Sequence, residues 1–194
     1  TPQEIEARSF AIIDAEIPEP RPFSGGLWEV ARRCVHTLGD TEIIADLRLS
    51  RDGLAAGVAA LRRGCTVYTD TRMAAAGLPL RRLTPLGVTV TPLMGLPGLE
   101  EISRRRGVTR SRAGIDMIAD RLAGLALLEA LNQGAPAPAL VVGMPVGFVN
   151  AAQSKELLRQ SPWPHFTLLG RKGGSAVAAA CVNALAELAL AKNA

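Results

Sequence analysis

The sequence predicts a single α/β domain over residues 1–194, and three observations carry that reading. Short runs rich in Val and Leu, such as residues 139–143 and 166–170, alternate with longer segments whose apolar residues recur at helical spacing. Gly and Pro punctuate most of the changes between the two. A chain of 194 residues buries one substantial core, and 48% hydrophobic with 4% aromatic residues is the make-up of a compact α/β protein rather than of a disordered chain.

The elements follow in order. Residues 1–16, TPQEIEARSFAIIDAE, set Ile5, Phe10, Ile12 and Ile13 close to helical spacing, with Thr1 or Pro2 opening an amphipathic helix. Pro18, Pro20, Pro22 and a Gly pair make residues 17–26 a loop. In LWEVARRCVHTL the residues Leu27, Val30, Ala31, Cys34, Val35 and Leu38 form the apolar stripe of a second helix, and Gly39 stops it. His36 lies beside that stripe in the last turn, where the helix dipole favours a protonated imidazole; the residue either stores a proton or caps its own helix. Residues 52–63 read as a third helix and CTVYTD as a strand, after which Asp70 is expected to cap the helix holding Met73. A loop through Gly77, Pro79 and Pro85 leads to a second strand, GVTVTPL, and then to a helix at 99–106.

The stretch GVTRSRA, residues 107–113, precedes a helix expected at 115–122. Arg110 stands where that helix should begin, between the hydroxyls of Thr109 and Ser111. Such a terminus is either an ordinary cap with a solvated arginine or a carboxylate site, built from a planar guanidinium and free backbone N–H groups. Residues 139–159, ALVVGMPVGFVNAAQSKELLR, read as strand, turn and helix, with Pro145 and Gly147 in the turn and Asn150 and Gln153 as a capping pair. In an open α/β sheet the carboxyl end of such a strand is where ligands bind. The last strand, 166–170, runs into the basic glycine loop RKGGS, where Arg171 and Lys172 either hold carboxylates or form a solvated turn. An Ala-rich helix over 176–192 follows.

Several function classes are set aside at this point. Neither G-x-G-x-x-G nor G-x-x-x-x-G-K-[ST] occurs, so there is no familiar phosphate loop. Cys34, Cys65 and Cys181 are far apart in apolar surroundings and read as core thiols, which implies no metal cage and no disulfide frame. The net charge of +4 and arginine runs such as Arg32-Arg33 favour an acidic partner, although solvated helix faces are the commoner explanation of such runs, and one Tyr, four Phe and two Trp, mostly within apolar segments, offer no stacking platform for nucleic acid. No apolar run approaches a membrane span, and Glu4, Glu6 and Arg8 break any signal-peptide pattern, so a cytoplasmic protein is expected.

The wording of these segments is more specific than their pattern. EARSFAII, VHTLGD, G-x-T-R-S at 107–111, GMPVGFVNAAQSKELL and G-R-x-G-G-S at 170–175 occur in one order from Glu6 to Ala184, and together they resemble the precorrin-8X methylmutase family, the corrin-ring isomerases of cobalamin biosynthesis. The resemblance implies a three-layer, Rossmann-like α/β/α fold with a mainly parallel sheet. It also implies that a methyl group moves from carbon 11 to carbon 12 of precorrin-8X or cobalt-precorrin-8, giving hydrogenobyrinate or its cobalt form, with His36 as general acid. Arg8, Ser9, Thr109, Arg110, Ser111, Gly147, Arg171 and Lys172 are then the expected substrate contacts. No redox cofactor is implied, any cobalt belongs to the substrate, and a homodimer is expected. The sequence departs from the family at one point. Arg121, Leu122, Ala123 and Gly124 run directly into LALLEALNQG, without the buried strand and G-N-A-P-T-A loop that the family has there. If the segment is only missing from the sequence at hand, Gly124 and Leu125 should stand farther apart than the ~3.8 Å of a trans peptide, and the intact motifs on either side favour this outcome. If it is truly deleted, the competing expectation is a tetrapyrrole-binding homologue without turnover.

Overall fold

The computed structural model describes residues 1–118 and 137–191. Helix α1 (Pro2–Glu16) opens on a reciprocal cap, in which the Thr1 hydroxyl accepts from the Glu4 N–H while the Glu4 carboxylate takes the Thr1 amine. Helix α2 (Gly26–Leu38) buries Trp28, Val30, Ala31, Cys34 and Val35, and it ends where Gly39 turns left-handed at φ 61°. The chain continues through β1 (Leu47–Leu49), α3 (Arg51–Arg62), β2 (Thr66–Thr69), α4 (Arg72–Ala76), α5 (Leu80–Leu83), β3 (Thr89–Pro92), α6 (Leu99–Arg106) and α7 (Arg110–Met117). Beyond residue 137 come β4 (Val141–Gly143), α8 (Ala151–Gln160), β5 (His165–Leu168) and α9 (Ser175–Leu190).

Among the described residues the strands form two sheets, β1-β5-β4 and β2-β3. Both β4-β5 and β2-β3 are parallel, so the sheet structure is mainly parallel as expected, while β1 lies antiparallel to β5. All four residues of β5 are buried, which requires cover on both faces. Phe166 and Leu168 point into the main apolar cluster with α2, α3 and α9, and a side chain at Gly53 of α3 would meet the Phe166 ring. Gly143 pairs with Thr167 and so faces the other way, where Leu158 of α8 fills the space a Cβ would need. Helices therefore lie on both sides of β5, and one hydroxyl ties the layers together: Ser50 accepts from the N–H of Gly53 and from that of His165, each at 3.0 Å. In the core between α2 and α9, the Cys34 and Cys181 sulfurs approach to 3.5 Å. Contact with Cys34 and complete burial hold the Cys181 thiol well above its ordinary pKa, so the pair serves as packing.

Two local expectations are corrected, and one strand is unforeseen. The strand Leu47–Leu49 is not foreseen, because three residues with Arg48 at the centre carry no readable alternation. The helix after β2 is capped by Thr71, whose hydroxyl accepts from the Ala74 N–H at 3.1 Å; Asp70 is left exposed one residue too early. Asn150 does precede α8, but at φ 62° its backbone is left-handed, not extended as in a capping residue, and its side chain makes no cap bond. The junction at 123–127, with its expected chain separation, lies outside the described residues. Strand β4 has β5 on one side and, among the described residues, no strand on the other.

Candidate functional site

His36 reaches the surface at a cleft of about 300 Å³, lined by Glu6 of α1, Arg33 and Thr37 of α2, Gly77 after α4, and Ala176 in the first turn of α9. Its ring meets Phe10 edge-on, with centroids 5.4 Å apart and planes at 77°. The guanidinium carbons of Arg32 and Arg33 stand 4.4 and 5.2 Å from the centre of that same phenyl ring. Behind the cleft lies a charged network. Arg33, almost fully buried, bonds Glu6 at 2.8 Å and Glu187 at 2.5 Å; Glu187 also pairs with Arg82, which bonds the Asn183 side chain at 2.6 Å. Burial pushes the Glu6 carboxyl up, but the Arg33 bond and the charges of Arg33, Arg82 and His36 outweigh it and hold the group below its ordinary pKa. Glu6 therefore stays ionised, with its charge balanced by Arg33.

A second assembly lies at the carboxyl ends of β4 and β5. The loop after β4 and the basic glycine loop after β5 are bound to each other: the Gly147 N–H donates to the Arg171 carbonyl at 3.2 Å and the Gly174 N–H to the Met144 carbonyl at 2.6 Å. The Arg171 guanidinium stands 5.1 Å from the centre of the exposed Phe148 ring. The Lys172 ammonium bonds Asp40 at 2.5 Å, just beyond the end of α2, so the histidine helix and the basic loop are joined. That bond lowers the Asp40 carboxyl and raises the Lys172 ammonium relative to their ordinary values. Lys155, from α8, is buried beneath the loop; burial draws its ammonium down to about 8 against a smaller opposing pull from Asp46.

The expected site residues thus fall into groups. Gly147, Arg171 and Lys172 come together, and the Lys172–Asp40 bond ties them to the helix of His36. Arg8, exposed, and Ser9, half-buried, stand on α1 between Glu6 and Phe10, both of which reach the His36 surroundings. Thr109, Arg110 and Ser111 stand apart from the lining of the cleft. Thr109 caps α7 by accepting from the Arg112 N–H at 3.2 Å, and exposed Arg110 comes no nearer than 3.7 Å to Glu100. These three open α7, whose Ile115 packs with Leu93 and Ile118 in a small separate cluster. Glu6, Arg33 and Lys155 were not singled out from the sequence. For Lys155 a signal existed: with Ala151, Ser154 and Leu158 it occupies the apolar face of α8. A larger hollow of about 560 Å³, between Leu54, Val58 and Leu188, is mainly apolar, and the Arg62 side chain at its rim bonds the last carbonyls of α9. Among the described residues that line it there is no acid, base or nucleophile.

Comparison with known proteins identifies the family. Residues 4–188 match the family model described as precorrin-8X methylmutase. The chain is 41% identical to the cobalt-precorrin-8 methylmutase of Salmonella typhimurium over 198 residues, covering 95% of this chain and 94% of that protein. It is 38% identical to the precorrin-8X methylmutase of Pseudomonas aeruginosa at the same coverage. A crystal structure of precorrin-8X methylmutase from Thermus thermophilus superposes with a TM-score of 0.86 at 37% identity, covering 96% of each chain. The Salmonella alignment is longer than this chain, so it includes residues that have no counterpart here.

Proposed function

The chain belongs to the precorrin-8X methylmutase family, and we propose that it isomerises precorrin-8X, or cobalt-precorrin-8, by moving the methyl group on carbon 11 of the macrocycle to carbon 12. One carbon–carbon bond breaks and one forms, no atom is gained or lost, and a proton lent to the ring is returned. Positioning and general acid catalysis are sufficient for such a step. The observation that supports it best is His36, presented at the rim of a cleft and packed against Phe10. In this reading His36 is the acid, and Glu6 and Arg33 form the wall of the cleft beside it. Arg171, Gly147 and Lys172 at the strand ends, Arg8 and Ser9 on α1, and Thr109, Arg110 and Ser111 at the start of α7 receive the carboxylates that rim the substrate. Cobalt, where present, arrives as part of the substrate.

The reading includes a homodimer in the cytoplasm. Val146, Phe148 and Val149 are 64%, 82% and 83% exposed in one short loop beside Arg171, and a second copy of the chain covering them would exclude water from a site that is open in one protomer. A second reading, a tetrapyrrole-binding homologue without turnover, is favoured by the alignment residues without counterpart in this chain. Incubation with precorrin-8X separates the two: appearance of the hydrogenobyrinate absorption spectrum supports the isomerase, and tight binding of unchanged substrate supports the binder.

Binding itself gives a further expectation. Arg110 is exposed and only loosely paired, so its guanidinium is free to exchange Glu100 for a ligand carboxylate. Arg110→Ala should weaken hydrogenobyrinate binding by about 1–3 kcal/mol, and added salt should weaken the wild type in the same direction. Titration that finds unchanged affinity in a folded variant removes Arg110 from the site.

A further inference from the structure

Lys155 places a cation on the buried face of α8 with its side chain 1% exposed. Its Nζ donates to the Gly170 carbonyl at 3.0 Å and to the Lys172 carbonyl at 2.5 Å. Between them, the Arg171 carbonyl accepts from the Gly147 N–H at 3.2 Å. Three successive carbonyls of the basic loop are thus bonded within the protein, two by Lys155 and one by the loop after β4. A trans peptide carries its C=O and N–H on opposite sides. Each of the N–H groups of Arg171, Lys172 and Gly173 therefore points away from the group that bonds the carbonyl before it, and none donates to a backbone acceptor among the described residues. Backbone N–H groups without a backbone partner, beside a guanidinium, are donors that an anion can take.

We infer that Lys155 is a positioning residue: by holding the Gly170 and Lys172 carbonyls it fixes the loop so that its unpaired N–H groups and Arg171 are available to one carboxylate of the substrate. Were the role only to fill volume, an apolar side chain of the same length would serve without the cost of burying an ammonium. Two carbonyls bonded by one charged group instead specify a backbone shape. The identity of the carboxylate rests on the methylmutase reading; the shape of the loop does not.

The test uses Lys155→Met, which keeps length and removes the charge, beside Lys155→Arg, which keeps the charge. Expected for Lys155→Met are a rise of roughly tenfold in KM for precorrin-8X and in Kd for hydrogenobyrinate, with kcat per folded molecule changed less than about threefold. Lys155→Arg should recover part of the affinity. In the unliganded protein, backbone amide resonances of Arg171 and Gly173 should move in Lys155→Met while those of α2 stay in place. Unchanged affinity and unchanged Arg171 and Gly173 amides in folded Lys155→Met would overturn the inference. So would a loss of binding that only follows the unfolded fraction, since that marks a structural role. If wild-type protein neither binds nor converts the corrinoids, the methylmutase reading fails, and the amide resonances still decide the role of Lys155.

Discussion

Replacing His36 with Ala should lower the rate of isomerisation by about 10²–10⁴-fold, the usual contribution of a general acid, while leaving hydrogenobyrinate binding within a few-fold of wild type. The side chain is exposed at the rim of the cleft and its recorded contact is the edge of Phe10, so its removal opens no core cavity. Stability should change by no more than about 0.5 kcal/mol, as for other surface substitutions. His165 is the control. It is buried at the start of β5, its Nδ1 lies 2.8 Å from the Trp163 carbonyl, and its N–H is held by Ser50. His165→Ala should therefore cost stability and leave turnover per folded molecule unchanged. Near-normal turnover by His36→Ala in a spectrophotometric assay would remove the acid from the proposal.

Gly173→Ala should have the largest effect of any single-methyl addition near the site. Gly173 has φ 152°, and a Cβ there would lie 2.6 Å from the Met144 carbonyl oxygen and 2.8 Å from that of Pro145. Both obstacles are backbone, and Met144 also accepts the Gly174 N–H that binds the two loops together. Strain and overlap together should cost about 2–4 kcal/mol, or else push the loops apart and carry Arg171 away from its position. Gly147→Ala separates the two causes. Its φ of 141° is equally unsuited to a side chain, but nothing stands within 4 Å of the added carbon, so it should lose only the strain, about 1–3 kcal/mol. Thermal unfolding of the two variants compares them directly, and equal losses would mean that the approach of the two loops is not what requires glycine at 173.

Much of the frame was legible because local signals agreed with the packing. The stripe of α2 with Gly39 as its stop, the strand–turn–helix at 139–159 and the glycine-rich turn after β5 each satisfy a short-range rule, and the structure follows them closely. His36 in a last helical turn could be read for the same reason. The parts that were missed depend on partners far along the chain. Arg33 reads as half of a solvated arginine pair until Glu187, 154 residues away, is brought beside it. Strand β1 exists because β5 lies next to it, with Leu47 opposite Leu168 and Leu49 opposite Phe166. Lys155 is buried because two carbonyls of a distant turn meet its ammonium, an arrangement that its helix pattern suggests only as an anomaly.

The central claim is a methyl migration within one molecule, and isotopic labelling of the substrate tests it most directly. Precorrin-8X carrying a carbon-13 label in the methyl group at carbon 11 should, after incubation with the protein, yield hydrogenobyrinate with the label at carbon 12 by NMR. A mixture of labelled and unlabelled substrate should give no exchange of methyl groups between molecules. Recovery of the corrinoid bound to the protein with its label still at carbon 11 would contradict the account and assign the chain to binding without turnover.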